Sequence, residues 1–344
     1  MRTRLQRLDR WGNKLGEVHD PLSAIHEQGV DGTDGLALTC FDDVGKGDHI
    51  RWRDEDTDQY FEHEVISARR VHAGPGRPVT EATCVNQVCE LFDDDLTART
   101  RAGYTVQQVM NDLLRYTRWT YSDSGEFSGT RTWEFDDTSV REAVSQVVET
   151  LGCEMVASSS RTITLRSEIV SASVTGRFTY GRNMGTVTRE VASDEVYTAV
   201  RAIGKDGITE TVYNETALDT WGRPPRYSGG AKRHSYCRLV DSGCETISEL
   251  RTLATQRLAE VSAPKVTYTC DIGDIGDRRL GDLLQVIDRG FTPELRMQAR
   301  ITRITKDLLG HSRGGQVVIG SKPPRYMEVA FKSIAGRTFR HYNY

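Results

Sequence analysis

The sequence predicts an α+β protein, mainly β, with two similar β-barrel modules and a small helix-hairpin α/β insertion. Three observations carry this expectation. One short pattern occurs twice, a domain apart. Alternating strand runs fill both ends of the chain. Three helices in the interior each open on a capping box. The first copy of the pattern is Gly47-Asp48-His49-Ile50-Arg51-Trp52, followed by the alternating run from Phe61 to Arg69. The second is Gly281-Asp282-Leu283-Leu284-Gln285-Val286, followed by Leu295 to Arg303. Val65 stands 18 residues after its glycine and Ala299 stands 18 after Gly281, counting along the sequence. Each copy reads as a tight Gly-Asp turn, a strand, a loop and a second strand of period 2.

The elements follow in order. Residues 1–92 read as the first barrel module, with a strand over Leu36–Phe41 and a closing strand from Thr83 to Leu91. Gly74-Pro75-Gly76-Arg77-Pro78 reads as a loop. Residues 93–175 read as a small α/β domain. Thr105 with Gln108 and Ser139 with Glu142 are capping boxes. Val140, Ala143, Val144, Val147, Val148 and Leu151 form an apolar stripe, and Gly152 is placed to end that helix. A hairpin of Glu154–Val156 against Thr162–Leu165 completes the block. Residues 176–213 and 263–322 read as a second, discontinuous barrel module. The helical excursion 214–262 interrupts it, with a third capping box at Thr246 and Glu249, and Pro264 after the helix. Residues 323–344, basic and aromatic, read as a C-terminal arm.

Composition narrows the function classes. The chain has 344 residues, 37% hydrophobic and 27% charged, with a formal net charge of −4. That supplies material for real cores and lacks the basic footprint of a general nucleic-acid binder. A neutral or acidic wall could still line a passage for DNA without holding its phosphates. No apolar run approaches the roughly 20 residues of a membrane helix. Met1 to Arg10 is basic with no apolar stretch after it, so a secretory signal is not expected. The seven cysteines, Cys40, Cys84, Cys89, Cys153, Cys237, Cys244 and Cys270, form no Cys-x-x-Cys. They point to folding in a reducing cytoplasm. Cys84 with Cys89, or Cys237 with Cys244, are spaced for a disulfide or a metal, but the structural role of a small apolar residue is the stronger reading.

Chemistry is hard to find in the sequence. His63-Glu64 resembles the start of a metalloprotease helix, yet position 67 is Ser and the run alternates like a strand. The eight histidines show no ligand spacing, so no metal ligand, cofactor-binding or catalytic residue is assigned, and no cofactor is expected. Asp42-Asp43, Asp93-Asp94-Asp95 and Asp136-Asp137 sit where carboxylates cap turns and helices. Glycosidase pairing of such residues is the weaker reading. A Cys–His nucleophile pair stays open, with no cysteine singled out. Arg296, Arg300 and Arg303, like Arg69 and Arg70, read as an exposed strand face able to meet a partner.

One set of motifs has a family likeness. Phe178 to Met184 followed by Val187-Thr188-Arg189, then Val196 to Gly207, resembles the central motif of siphophage tail-tip and baseplate hub proteins, the tail-associated lysin or prophage endopeptidase tail family. Leu253 to Leu258 with Pro264 and Tyr268, then Leu280-Gly281-Asp282 with Val286, Ala299-Arg300-Ile301 and Ile319-Gly320, follow in the family's order. Asn183, Thr198, Gly204 and Pro264 are the positions that carry the motif, and Gly47, Asp48, Gly281 and Asp282 the barrel turns. Ala199 replaces a frequent arginine, and the resemblance covers the N-terminal hub portion only. It implies a structural virion protein, a homotrimer with two barrels per chain in a pseudo-six-fold ring. Its implied partners are the hexameric distal tail protein, the tape measure protein's C-terminus, and a tail fibre or receptor-binding protein. Phage DNA would pass through the channel without specific binding, and the ring would gate it. The implied place is the virion tail tip, after synthesis in the host bacterial cytoplasm. A tail-associated cell-wall endopeptidase and the hub of a contractile injection particle are the alternatives.

Overall fold

Alternation in the N-terminal sequence gives seven strands: β1 (Gln6–Leu8), β2 (Lys14–Glu17), β3 (Ser23–Gly29), β4 (Asp34–Cys40), β5 (His49–Asp54), β6 (Gln59–Val71) and β7 (Val79–Asn86). The computed structural model describes residues 3–72, 76–192, 196–241, 243–272, 274–290, 295–310 and 315–320. Leu36, Leu38 and Cys40 point to one face of β4 and are buried with Ile50, Trp52, Val65 and Cys84. The period of 2 thus does what it should in a half-buried strand.

The middle of the chain carries β8 (Asp95–Leu96), β9 (Arg99–Tyr104), α1 (Val106–Leu114), β10 (Thr120–Ser122), β11 (Arg131–Phe135), β12 (Thr138–Ser139), α2 (Val140–Leu151), β13 (Glu154–Ala157) and β14 (Thr162–Arg166). Both capping boxes form reciprocally, at Thr105 with Gln108 and Ser139 with Glu142. Gly152 ends α2 at φ 62°, a left-handed conformation that glycine adopts without a Cβ penalty. One core joins α1, α2, Trp119, Trp133, Ile163 and Leu165.

After it come β15 (Val174–Thr179), β16 (Met184–Ala192), β17 (Ala199–Ile203), β18 (Thr209–Tyr213), α3 (Glu215–Trp221), β19 (Tyr236–Val240), α4 (Ile247–Val261), β20 (Lys265–Ile272), β21 (Leu283–Asp288), β22 (Leu295–Asp307) and β23 (Gly315–Gly320). The Thr246–Glu249 capping box opens α4, which stops at Val261 before Pro264. No helix among the described residues is long and apolar enough to cross a membrane.

The protein is mainly β, as its sequence indicates. Among the described residues no closed barrel forms. Thirteen strands share one sheet in the order β16-β20-β23-β22-β3-β4-β7-β6-β5-β1-β2, with β21 branching from β22 and β15 from β21. The reason is strand sharing: residues 303–307 of β22 pair with β3, so the two strand sets join edge to edge instead of closing separately. β17 and β18, which the sequence reading gave to the second barrel, pair with each other and with β19. That small sheet packs Val200 and Ala202 against Leu250, Ala254 and Leu258 of α4. The C-terminal arm from residue 323 lies outside the described residues.

The α/β block is clamped to the large sheet by one buried ion pair. Arg300 on β22 donates two hydrogen bonds to Glu154 on β13, Nη1 to Oε2 at 2.8 Å and Nη2 to Oε1 at 2.7 Å. Nη1 also donates to Ile169 O at 3.0 Å, and Ile169 N donates back to Glu154 Oε2 at 2.6 Å. Arg300 is therefore not on an exposed strand face. Arg303 stays partly exposed, and its guanidinium binds Glu27 and Asp31, each at 2.7 Å. Arg300 is drawn inward because Glu154 arrives from the α/β block, whereas Arg303 takes its carboxylates from Glu27 on the neighbouring β3 and from Asp31 beyond it. Truncating one partner of a buried pair strands the other charge, at about 3–5 kcal/mol. Arg300→Ala is expected to lower the unfolding free energy by about that amount in a urea titration. Arg69→Ala, on an exposed stretch, should change it by less than about 0.5 kcal/mol.

Candidate assembly interface

The two Gly-Asp turns are the same local structure. Gly47 has φ 87° and Gly281 φ 80°. In each, the aspartate N–H donates to the carbonyl three residues back, Asp48 to Gly45 at 3.1 Å and Asp282 to Arg279 at 3.2 Å. In each, the aspartate Oδ2 accepts from the N–H of that same residue, Gly45 at 2.9 Å and Arg279 at 3.0 Å. The short acidic side chain thus closes the turn that its own backbone opens. Arg7 pairs with Asp48 as well, at 2.7 Å.

Each turn then delivers its chain to a long strand. Gly47 N donates to Val65 O and Val65 N to Asp48 O, at 2.9 and 2.8 Å. Gly281 N donates to Ile301 O and Ile301 N to Asp282 O, both at 2.9 Å. Val65 therefore corresponds to Ile301, not to Ala299. The offset from the glycine is 18 residues in the first copy (65 − 47) and 20 in the second (301 − 281). The cause is the hairpin loop, four residues between Asp54 and Gln59 and six between Asp288 and Leu295.

With that correction the two strand sets superpose in register. β5, β6, β7 and β4 correspond to β21, β22, β23 and β20. A register shift falls after Val65 in β6, between Val65 and Ser67. Its counterpart in β22 falls between Ile301 and Arg303. Leu36 opposite Cys84 matches Tyr268 opposite Ile319. His26 opposite Leu36 matches Arg189 opposite Tyr268, so β3 corresponds to β16.

The correspondence leaves two edges unmatched. Beyond its shift, β22 pairs β23 on one edge and β3 on the other, with Arg303 opposite Gly29, Thr305 opposite Glu27 and Asp307 opposite Ile25. Beyond its own shift, β6 pairs β7 on one edge, and residues 67–71 have no strand on the other among the described residues. β16 likewise pairs β20 and ends the sheet. Such open edges are templates for another strand.

The sequence-assigned motif residues lie around this frame and do not converge on one site. Asn183 shapes the β15–β16 turn, accepting from Thr179 N at 2.9 Å and donating to Arg177 O at 3.0 Å. Thr198 is buried and its Oγ1 accepts from Ser235 N at 3.0 Å. At Gly204 a Cβ would meet Cys244 O at 2.8 Å. Pro264 links α4 to β20. Of the acidic pairs, Asp42 and Asp137 tie distant loop amides instead of capping helices: Asp42 accepts from His19 N at 2.7 Å and Asp137 from Ala98 N at 2.6 Å. The seven cysteines are free. Burial pushes the thiols of Cys89 and Cys270 up to about 12 and that of Cys244 to about 11, so they stay protonated at neutral pH and make poor nucleophiles.

One buried cluster escaped the sequence reading. Asp34 at the start of β4 takes His26 Nε2 from β3 and His63 Nε2 from β6 on the same oxygen, Oδ1, each at 2.8 Å. Asn86 Nδ2 holds Oδ2 at 2.8 Å. Burial alone would raise the Asp34 carboxyl, but the field of His63 and the hydrogen bonds of both imidazoles hold it far below the usual carboxylate range. Burial lowers the pKa of His26, and Asp34 only partly opposes it. The three residues are 8 and 29 apart in sequence, which no ligand-spacing rule would join.

Residues 172–328 match the model of the prophage endopeptidase tail family. No curated protein matches the chain. Among solved structures, prophage tail protein gp18 from Listeria monocytogenes EGD-e aligns over 97% of this chain and 98% of its own, with a TM-score of 0.68 and 12% identity. A tail protein from Neisseria meningitidis MC58 aligns over 93% and 97%, also with a TM-score of 0.68 and 12% identity. An Escherichia coli type VI secretion system component, described as structurally similar to the T4 bacteriophage tail proteins gp27 and gp5, aligns over 89% and 76%, with a TM-score of 0.51 and 10% identity. The fold is that of these phage tail proteins.

The two turns make a matched test. Both glycines carry a positive φ, which costs another residue about 1–2 kcal/mol. At Gly47 an added Cβ meets only the Arg10 side chain at 3.6 Å, whereas at Gly281 it would run into the backbone of Ile169. Gly281→Ala should destabilise by at least about 2 kcal/mol more than Gly47→Ala in chemical denaturation.

Proposed function

We propose that this chain is a structural phage tail protein, a homotrimeric hub at the tail tip. One observation carries the reading: the two open edges are the counterparts of the two edges that join inside the chain. Inside, the late half of β22 takes β3. By the internal repeat, the late half of β6 should take β16 of the next copy. The contact is head-to-tail, so it repeats until a ring closes. Closure after three chains places six similar strand sets around an axis. Such a ring suits a six-fold distal tail ring on one side and the tape measure end and a fibre or receptor-binding protein on the other. Phage DNA would pass through the middle, and opening of the ring's lumen would gate it.

The register follows from the repeat. Thr305 opposite Glu27 translates into Arg69 of one protomer opposite Glu190 of the next, and Val71 falls opposite Thr188. Arg69 and Glu190 are both exposed, and their charges are complementary. The family match supports the tail assignment. The fold likeness to tail proteins favours a scaffold over an endopeptidase.

Light scattering on the purified chain, alone and with its distal tail protein, tests the hub. A trimer, or trimerisation on the ring, is expected, and a monomer that ignores the ring overturns the reading. Arg69→Glu and Glu190→Arg should each weaken assembly by about 5- to 10-fold, since opposed like charges across strands repel by roughly 1 kcal/mol. The double variant should restore it. A trimer indifferent to both single changes would leave the hub standing and exclude this strand pairing.

A further inference from the structure

We propose that His26, Asp34 and His63 bind a divalent transition metal ion, with zinc the best fit to the donor set. The inference does not depend on the hub reading. Two imidazole nitrogens and one carboxylate oxygen converge from β3, β6 and the start of β4, and these atoms lie within 4.8 Å of one another. Imidazole nitrogen favours zinc and its neighbours in the first transition row, whereas calcium and magnesium prefer sites made of oxygen. Three protein ligands leave a fourth tetrahedral position for water.

The geometry is close to what a metal needs. Each Nε2 stands 2.8 Å from Asp34 Oδ1. A tetrahedral zinc about 2.0–2.2 Å from its ligands sets neighbouring donors about 3.3 Å apart. Admitting the ion would move each imidazole nitrogen about half an ångström away from Oδ1 and adjust the spacing of the two nitrogens, which the three donors' 4.8 Å span bounds.

The surroundings already hold the donors in place. Trp52 stacks on His63 with centroids 4.9 Å apart, and Phe61 packs edge-on to His26 at 4.8 Å. Asn86 fixes the outer carboxylate oxygen, the kind of support that orients metal-bound carboxylates. The His26 and His63 side chains are 6% and 0% exposed, whereas Asp34 is 16% exposed and marks the way in from solvent.

The test uses the full chain stripped with EDTA and then loaded with ZnCl2 or CoCl2. After dialysis, elemental analysis should find one metal per chain, with the visible absorption of cobalt in a site bearing nitrogen ligands. Zinc should raise the thermal midpoint, and EDTA should reverse the rise. Asp34→Asn preserves the side-chain shape and should keep the far-ultraviolet dichroism while weakening metal affinity at least about 10-fold. A wild-type chain that retains no metal and shows no zinc-dependent midpoint overturns the proposal. So does an Asp34→Asn chain that binds as tightly as the wild type.

Discussion

The fold depends on two long strands that change partners halfway. β6 and β22 are each 13 residues long, and each has a register shift at the same structural place. Before the shift, one edge is paired with the strand that follows the Gly-Asp turn. After it, that edge is released for a different neighbour. The turn sets the switch, because its backbone takes the hydrogen bonds of Val65 or Ile301 and ends the first pairing there. A released edge leaves backbone groups to be paired by another strand or, where exposed, by water. In β22 that pairing joins the two halves of the chain. In β6 the edge remains open.

The sequence revealed local chemistry well and distant geometry poorly. All three capping boxes and the Gly152 helix end were legible, because each depends on residues three or four apart. The repeat was legible at its turns for the same reason. Its alignment was not, because an unchanged 18-residue spacing concealed a hairpin loop two residues longer in the second copy. Alternation marked β17 and β18 as strands but could not name their neighbours. A strand's pattern records which face is buried, not which sheet it joins. The outward reading of Arg300 failed for a related reason: Glu154 lies 146 residues away in sequence, and period-2 alternation cannot show a carboxylate arriving from another layer.

Of the candidate interface, the turn residues were visible in advance and the edges were not. An open edge is a property of pairing, and no residue type announces it. Arg69 read as an exposed basic residue, and the repeat now gives it a defined opposite position. Asn183, Thr198, Gly204 and Pro264 hold turns, a buried hydroxyl contact, a close backbone approach and a helix end. They are structural positions spread across two sheets, which fits a resemblance of fold better than the transfer of an active site.

The repeat also shows where the two halves have ceased to be equivalent. In its frame, His26, Asp34 and His63 correspond to Arg189, Val266 and Ala299. The second set keeps the strand register but contains neither imidazole nor carboxylate at these places. Backbone pairing is therefore shared by both halves, while the buried polar cluster belongs to one. A ring built from such chains would have six-fold similarity in its hydrogen-bonded frame and three-fold chemistry within it. That division has a physical basis. Register is fixed by turns and ladders that tolerate many side chains, so the frame can stay constant while interior positions diverge.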